Sequence, residues 1–285
     1  MKKVCIAADS TCDLSPELVA RYQIPILPLH IILEDEDHRD GVDITPDEIY
    51  AWSNAHKQTP HTSAFSPEEA SAFIRSCLGD AEEMVFFDIS ASMSSSADVM
   101  FATAGEMGLR EKVHVVDAKN LSTGIGLQIL YACDLAAEGL DGGEIVRRIE
   151  AMQDDVRASF VVDTLVYLHR GGRCSGLAAM LGATLRLHPR IFVEGGKMGV
   201  GKKYRGKMDR VILSYVKDME EDLLHAKTDR IFITHSGCEQ AVIDSVREYL
   251  ESLNRFEEIL ITRAGGVITS HCGPGTLGVL FVMEK

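Results

Sequence analysis

The sequence predicts an α/β protein with a largely parallel sheet over its first half. Two observations carry that reading. Short apolar, β-favouring runs alternate with helical patterns from Val4 to about residue 155, the order that βαβ units produce. Apolar residues make up 46% of the chain and aromatic residues only 6%, so the cores are expected to be aliphatic. With 285 residues the chain is long enough for two ordinary domains or one large one.

The opening Met1-Lys2-Lys3 is followed by a short apolar run that Asp9 ends. This reads as a first strand, Val4 to Ala8, rather than a signal peptide. Ser15 before Pro16-Glu17 marks a helix start. Ile24 to Leu33 is apolar but holds Pro25 and Pro28; prolines lack a ladder donor, so an edge or irregular strand is expected. Glu34 to Asp43 is acidic and turn-rich, an exposed hairpin or loop. Thr45-Pro46-Asp47-Glu48 starts a second helix. Ser66, Pro67 and Glu69 form a capping box for a helix to Cys77, which leaves Thr62 and Ser63 in the preceding loop.

Met84 to Ser90 is a third strand. It runs into Ala91-Ser92-Met93-Ser94-Ser95-Ser96, and a helical pattern follows from about Ala97 to Gly105. Hydroxyls and free N–H groups meet there at the positive end of a helix, where a carboxylate is expected to bind. The same residues also fit one capping serine among solvated turn residues, and from the loop alone capping is the commoner role. Lys112 to Asp117 is a fourth strand, and Leu121 to Ala137 and Gly143 to Gln153 are helices. Asp9 to Thr11, Ser90 to Ser96 and Asp117 to Asn120 thus fall at strand carboxyl ends, where open sheets bind ligands.

The second half changes character. Phe160 to Leu165 leads into a short helix and then Gly171-Gly172-Arg173-Cys174-Ser175-Gly176. Leu177 to Leu187 is apolar nearly all round, hence a buried helix. Its small residues fit close helix packing or an apolar ligand. Arg190 to Gly201 reads as a hairpin turning at Gly195-Gly196, and Met208 to His225 as one charged helix. A strand at Arg230–His235, a helix at Cys238–Leu253 and a strand at Glu258–Thr262 follow. A glycine-rich loop carrying His271 precedes a last strand, Val279 to Met283.

The formal net charge is −14, which disfavours nucleic acid or an anionic membrane as partner. No stretch approaches the roughly 18 apolar residues that span a bilayer, so at most transient membrane contact is expected. Seven scattered cysteines without C-x-x-C spacing suit reduced thiols in a cytoplasmic protein. No P-loop or dinucleotide fingerprint is present, and no metal site is assigned. Ser94 lacks the glycines of a nucleophile elbow, which argues against a hydrolase, although His271 can approach it in space. Asp9-Ser10-Thr11 lacks the second carboxylate of a haloacid-dehalogenase phosphatase. His271 fits an anion donor or a satisfied buried histidine. Arg173 and Arg205, on glycine-framed loops, fit carboxylate or phosphate clamps, or plain surface positions.

Taken together, these segments resemble the DegV family along the whole chain. Asp9-Ser10-Thr11-Cys12-Asp13-Leu14 resembles its D-S-T-x-D-L opening, and Thr62 to Pro67 its T-S-Q-P-S-P loop. Ile89 to Ser96 is similar to I-S-S-x-L-S-G-T, and Asp117 to Gly124 to V-D-S-x-x-x-S-x-G. Phe160 to Gly176 is similar to F-x-V-D-T-L-x-Y-L-x-x-G-G-R-I-S-G, and Thr269 to Gly278 to T-H-T-G-P-G-A-L-G. Two departures, Ala64-Phe65 for Gln-Pro and Ser95-Ser96 for Gly-Thr, flank the positions of interest.

The resemblance implies a bacterial, two-lobed α/β carrier for a long-chain fatty acid, acting in phospholipid metabolism. Residues 1–157 would form a parallel-sheet lobe with the carboxylate-binding loops. Residues 158–285 would form a mixed-sheet lobe housing the acyl chain beside Leu177–Leu187. Thr62, Ser94 and His271 would hold the carboxylate, with Ser63 in support. Arg173 and Arg205 would face a separate fatty acid kinase that makes the acyl phosphate. No catalytic residue, cofactor or metal is then expected beyond the lipid itself. The rival readings are an acyl hydrolase or transferase using Ser94 and His271, and a lipid-responsive interaction module.

Overall fold

The computed structural model describes residues 2–173 and 187–284. β1 (Lys2–Asp9) begins with two exposed lysines and then buries its last six residues. α1 (Pro16–Tyr22) starts where Ser15 accepts the Leu18 N–H. The proline-bearing run becomes two short strands, β2 (Ile26–Leu27) and β3 (His30–Leu33). β2 is the edge of the parallel sheet; β3 is instead the centre of a separate three-stranded antiparallel sheet between β4 (Glu36–Arg39) and β5 (His61–Ser63). Thr62 and Ser63 therefore lie in a strand and not in a loop, opposite Ile31 and His30. α2 (Pro46–His56) and α3 (Pro67–Asp80) open with complete capping boxes, Thr45/Glu48 and Ser66/Glu69.

β6 (Ala81–Asp88), α4 (Ser96–Glu106), β7 (Val113–Asp117), α5 (Thr123–Ala137) and α6 (Gly142–Met152) complete the first lobe. Its main sheet has the order β2-β1-β6-β7 and is parallel throughout. Alternate residues of β6 enter different cores. Met84 and Phe86 pack with Ile74 and Met100 on one face, whereas Val85 and Phe87 pack with Ile125 and Ile145 on the other. Both faces being covered explains why the strand reads as a continuous apolar run.

The second lobe contains β8 (Val156–Val161), α7 (Val166–Gly171), β9 (Leu187–Glu194), β10 (Lys197–Arg205), α8 (Met208–Lys217), α9 (Glu220–Leu224), β11 (Arg230–His235), α10 (Gln240–Ser252), β12 (Glu258–Arg263), α11 (Gly266–Cys272) and β13 (Leu277–Val282). Its sheet has the order β10-β9-β8-β13-β11-β12; β11 and β12 pair in parallel and the other neighbours antiparallel. The protein is thus α/β with a parallel-sheet lobe and a mixed-sheet lobe.

Three expectations are corrected here. The charged helix after Lys207 is two helices; Lys202 Nζ and Tyr204 Oη hold Asp218 at the break, at 2.5 and 2.7 Å. The stretch leading to His271 is a helix, α11, and not a loop. The hairpin expected from Arg190 begins earlier, at Leu187. The helix expected at Leu177 to Leu187 lies outside the described residues up to 186.

Among the described residues, α5 joins the lobes. It is buried along most of its length, and Ile125, Ile129 and Leu130 share one core with Val85 and Phe87 on one side and with Phe160, Phe232 and Leu280 on the other. Thr123 Oγ1 meets Thr234 Oγ1 across that seam at 2.6 Å. α11 is tied to the first lobe at its start: Gly265 N–H donates to Asp13 Oδ1 and Gly266 N–H to Asp40 Oδ1, at 2.8 and 2.7 Å. A Cβ on Gly266 would lie 2.5 Å from Ile31 Cδ1, so only glycine allows this approach.

Candidate functional site

A cavity of about 250 Å³ opens between the lobes. Its polar lining comes from Thr62 and Ser63 of β5, from Ser94 and Ser95 of the loop between β6 and α4, from Arg173 beyond α7, and from His271 in the last turn of α11. The rest of the lining is mainly apolar, with Ile89, Met93, Leu121, Leu168, Met198 and Ile268. A narrow void of about 20 Å³ carries on along the seam, sharing Leu121, Ile268 and Cys272 with the cavity and reaching Phe160 and Leu280.

The two lobes meet chemically at Thr62 Oγ1 and His271 Nε2, 2.9 Å apart. His271 Nδ1 is shielded and has no hydrogen-bond partner among the described residues. It abuts Gly171, where a Cβ would lie only 2.3 Å from it. Burial, with help from the nearby Arg173 and His61 charges, pushes the imidazole pKa down to about 4. The ring is therefore neutral near pH 7 and carries one proton. On Nε2 that proton has an acceptor in Thr62 Oγ1; on Nδ1 it would be an orphaned buried donor. The arrangement is a donor chain: Nε2–H to Thr62, and the Thr62 hydroxyl proton free for the cavity.

Ser94 combines the two roles left open for it. Its Oγ accepts the Ser96 N–H at 3.2 Å, a capping bond, and lies 2.9 Å from Ser96 Oγ while facing the cavity. Ser95, in the cap position itself, makes no side-chain capping bond. Ser96 is fully buried and donates to Asp88. The Ser95-Ser96 departure therefore keeps a hydroxyl where the family pattern has threonine. The other departure resolves differently. Ala64 lines the cavity, but Phe65 turns into the core and packs edge-on against Phe86 at 6.0 Å.

Ser63 is exposed on the cavity rim. Arg173 also lines the cavity, and its guanidinium is engaged: Nη1 donates to Gly171 O at 2.7 Å and Nε to Met93 O at 3.4 Å. It spans from α7 to the serine loop. Arg205 is not brought to the cavity by the described residues; it is exposed at the end of β10 opposite Leu187.

The sequence reading placed Asp9 and Asp117 at strand ends, but missed Asp88 and the bonds by which these carboxylates hold the serine loop. Asp9 and Asp117 accept the Ile89 and Ala91 N–H groups, at 2.9 and 3.2 Å. Ser90 Oγ reaches Gly196 O of the opposite lobe at 2.7 Å. Burial and the neighbouring Asp9 hold the Asp88 carboxyl well above the usual carboxylate range, and burial lifts Asp13 to about 8. A signal was present: β1, β6 and β7 each end on an aspartate, Asp9, Asp88 and Asp117. Three adjacent strands ending alike place the three carboxylates side by side.

Comparison with known proteins agrees with this architecture. The profile of the DegV family, described there as an uncharacterised protein family, matches residues 3–284. A DegV domain-containing protein of Deinococcus radiodurans is 31% identical over 278 residues, covering 97% of each chain. Among solved structures, a DegV family protein from Thermus thermophilus, described for its fatty acid binding, superposes with a TM-score of 0.89 at 30% identity, covering 99% of this chain and 100% of that one. A DegV lipid binding protein from Thermotoga maritima superposes with a TM-score of 0.84 at 25% identity, with 99% of both chains covered. By fold, by chain-long sequence match and by the motifs around its cavity, this chain belongs to the DegV family.

Proposed function

We propose that this protein binds a long-chain fatty acid, holds its carboxylate with Thr62, Ser94 and His271, and presents it to a separate fatty acid kinase that forms the acyl phosphate. The observation that carries the reading is the mixed lining of the cavity: the Thr62–His271 pair and Ser94 face a space that aliphatic side chains also line. The solved Thermus thermophilus relative, described for its fatty acid binding, supports the same ligand class.

The energetics suit such a ligand. A buried methylene contributes about 0.8 kcal/mol, so a dozen contribute about 10 kcal/mol gross. The tail supplies the affinity. The head must not be buried unpaired; hydrogen bonds to a charged group contribute about 1.5–3 kcal/mol each and fix where the carboxylate points. Arg173 and Arg205 are assigned to the kinase-facing surface, and residues 1–157 and 158–285 to the head-group and acyl-chain lobes.

The hydrolase alternative fits the geometry less well. His271 bonds Thr62 rather than Ser94, and its Nδ1 faces Gly171 with no carboxylate to orient it, as a nucleophile–base–acid triad requires. The test is native mass spectrometry of the delipidated protein re-exposed to fatty acids of graded chain length. A single bound acid whose retention rises with chain length is expected, falling about tenfold or more in S94A and T62A. Indifference to chain length, or turnover of acyl esters that S94A abolishes, would overturn the reading. With an added kinase and ATP, charge reversal at Arg173 or Arg205 should impair phosphorylation more than lipid binding.

A further inference from the structure

We infer that Asp88 is the positioning residue of the head-group site, acting on Ser94 through Ser96. The inference rests on the fatty-acid reading and goes beyond it. Asp88 ends β6 and is fully buried. Its Oδ1 accepts the Ser96 hydroxyl proton. That single proton being committed, Ser96 Oγ can only accept from Ser94, while the Ser96 N–H occupies a lone pair of Ser94 Oγ. Ser94 is left with one movable proton and two acceptors for it: a neutral hydroxyl 2.9 Å away, or an anion in the cavity. The anion is the stronger acceptor. Ser94 is thereby fixed as a donor and its oxygen is held in place before any ligand arrives.

The second oxygen of Asp88 explains how a carboxyl can lie under an anionic head group. Oδ2 has no hydrogen-bond donor among the described residues. The neighbouring Asp9 already accepts from Thr11 N, Thr11 Oγ1 and Ile89 N, at 2.8, 2.5 and 2.9 Å. A proton on Asp88 Oδ2 turns the orphaned acceptor into a donor toward Asp9 and removes one buried charge from beneath the carboxylate. Asparagine at position 88 reproduces that state: its oxygen still accepts from Ser96 and its amide donates to Asp9.

The test is calorimetric titration of the delipidated protein with [1-¹³C]palmitate, with the bound carboxyl carbon followed by NMR. Ser94→Ala should weaken binding about tenfold or more. Asp88→Ala should weaken it about fivefold and shift the bound carboxyl resonance toward its position in S94A, yet change affinity less than twofold when added to S94A. Asp88→Asn should restore both affinity and shift. If D88A does not fold, the pair Ser96→Ala and Ser96→Thr carries the test, with loss in the first and recovery in the second. Additive losses in the D88A/S94A double variant, or a D88A protein that binds as well as wild type, would overturn the inference. A D88N protein as weak as D88A would overturn the shared proton. If S94A itself binds like wild type, the head-group assignment falls, and the relay with it.

Discussion

His271 illustrates how one buried side chain sets conditions for its neighbours. Its pKa is held down to about 4 in the fold, against about 6.5 in an unfolded chain. The unfolded state therefore binds the extra proton first, and the contribution of this group to stability falls as pH drops from about 6.5 toward 4. The fall from about 6.5 to about 4 corresponds to at most about 3.4 kcal/mol. Urea unfolding of the wild type at pH 7.5 and pH 4.5 should show an acid loss that Asp13 and Asp88, with raised pKa values, oppose. The difference between wild type and H271Q isolates the imidazole, and a difference that does not change with pH would show the ring to be as easily protonated as in a free peptide. Gly171→Ala probes the same group from outside. The new methyl lies in the space of Nδ1, so it should cost fatty-acid affinity about tenfold while helix α7 keeps its form.

Among elements, α11 decides whether the site assembles. It is a short helix whose first two N–H donors are met by Asp13 and Asp40 of the other lobe, and its last turn carries His271. Gly266→Ala would push a Cβ into Ile31 and Ile49. Overpacking of this kind costs typically about 1–3 kcal/mol, which a thermal melt would register, and it should withdraw His271 from Thr62. Unchanged stability and unchanged lipid binding would show that α11 can shift without consequence. By contrast, Ser66→Ala removes a complete capping box at the start of α3, and Ser66 is not among the described residues that line the cavity. It should cost about 1 kcal/mol with little effect on lipid selectivity.

At the scale of the whole molecule, the core shared by the two lobes predicts one cooperative unfolding unit. α5 contributes to a single hydrophobic cluster that contains strands of both sheets. Trp52 is the sole tryptophan and lies in the first lobe. Its fluorescence and far-UV circular dichroism should therefore give coincident urea transitions. Ile125→Ala, at the seam, should lower the midpoint of both together, by about 2–5 kcal/mol in stability. Two separate transitions would show the lobes to be independent.

Much of this was legible in the residues themselves. Capping boxes, proline-interrupted strands, the Gly195-Gly196 turn and the β6 run depend on neighbours a few positions apart, so their signals are local. The chain determined its α/β class, its alternation of strands and helices, and the hydroxyl-rich loop at the end of β6. It also carried the motifs that resemble the DegV family. Other features were decided only by the folded chain. Thr62 and His271 lie 209 positions apart and yet share one hydrogen bond. Thr62 pairs in a strand, and His271 rides a helix, because Gly266 and two buried aspartates let that helix dock. Phe65 belongs to the core, Arg205 stands away from the cavity, and Asp88 lies under Ser94 through Ser96. None of these has a periodic signature, since each depends on which distant surfaces come together, and burial sets protonation only after they have.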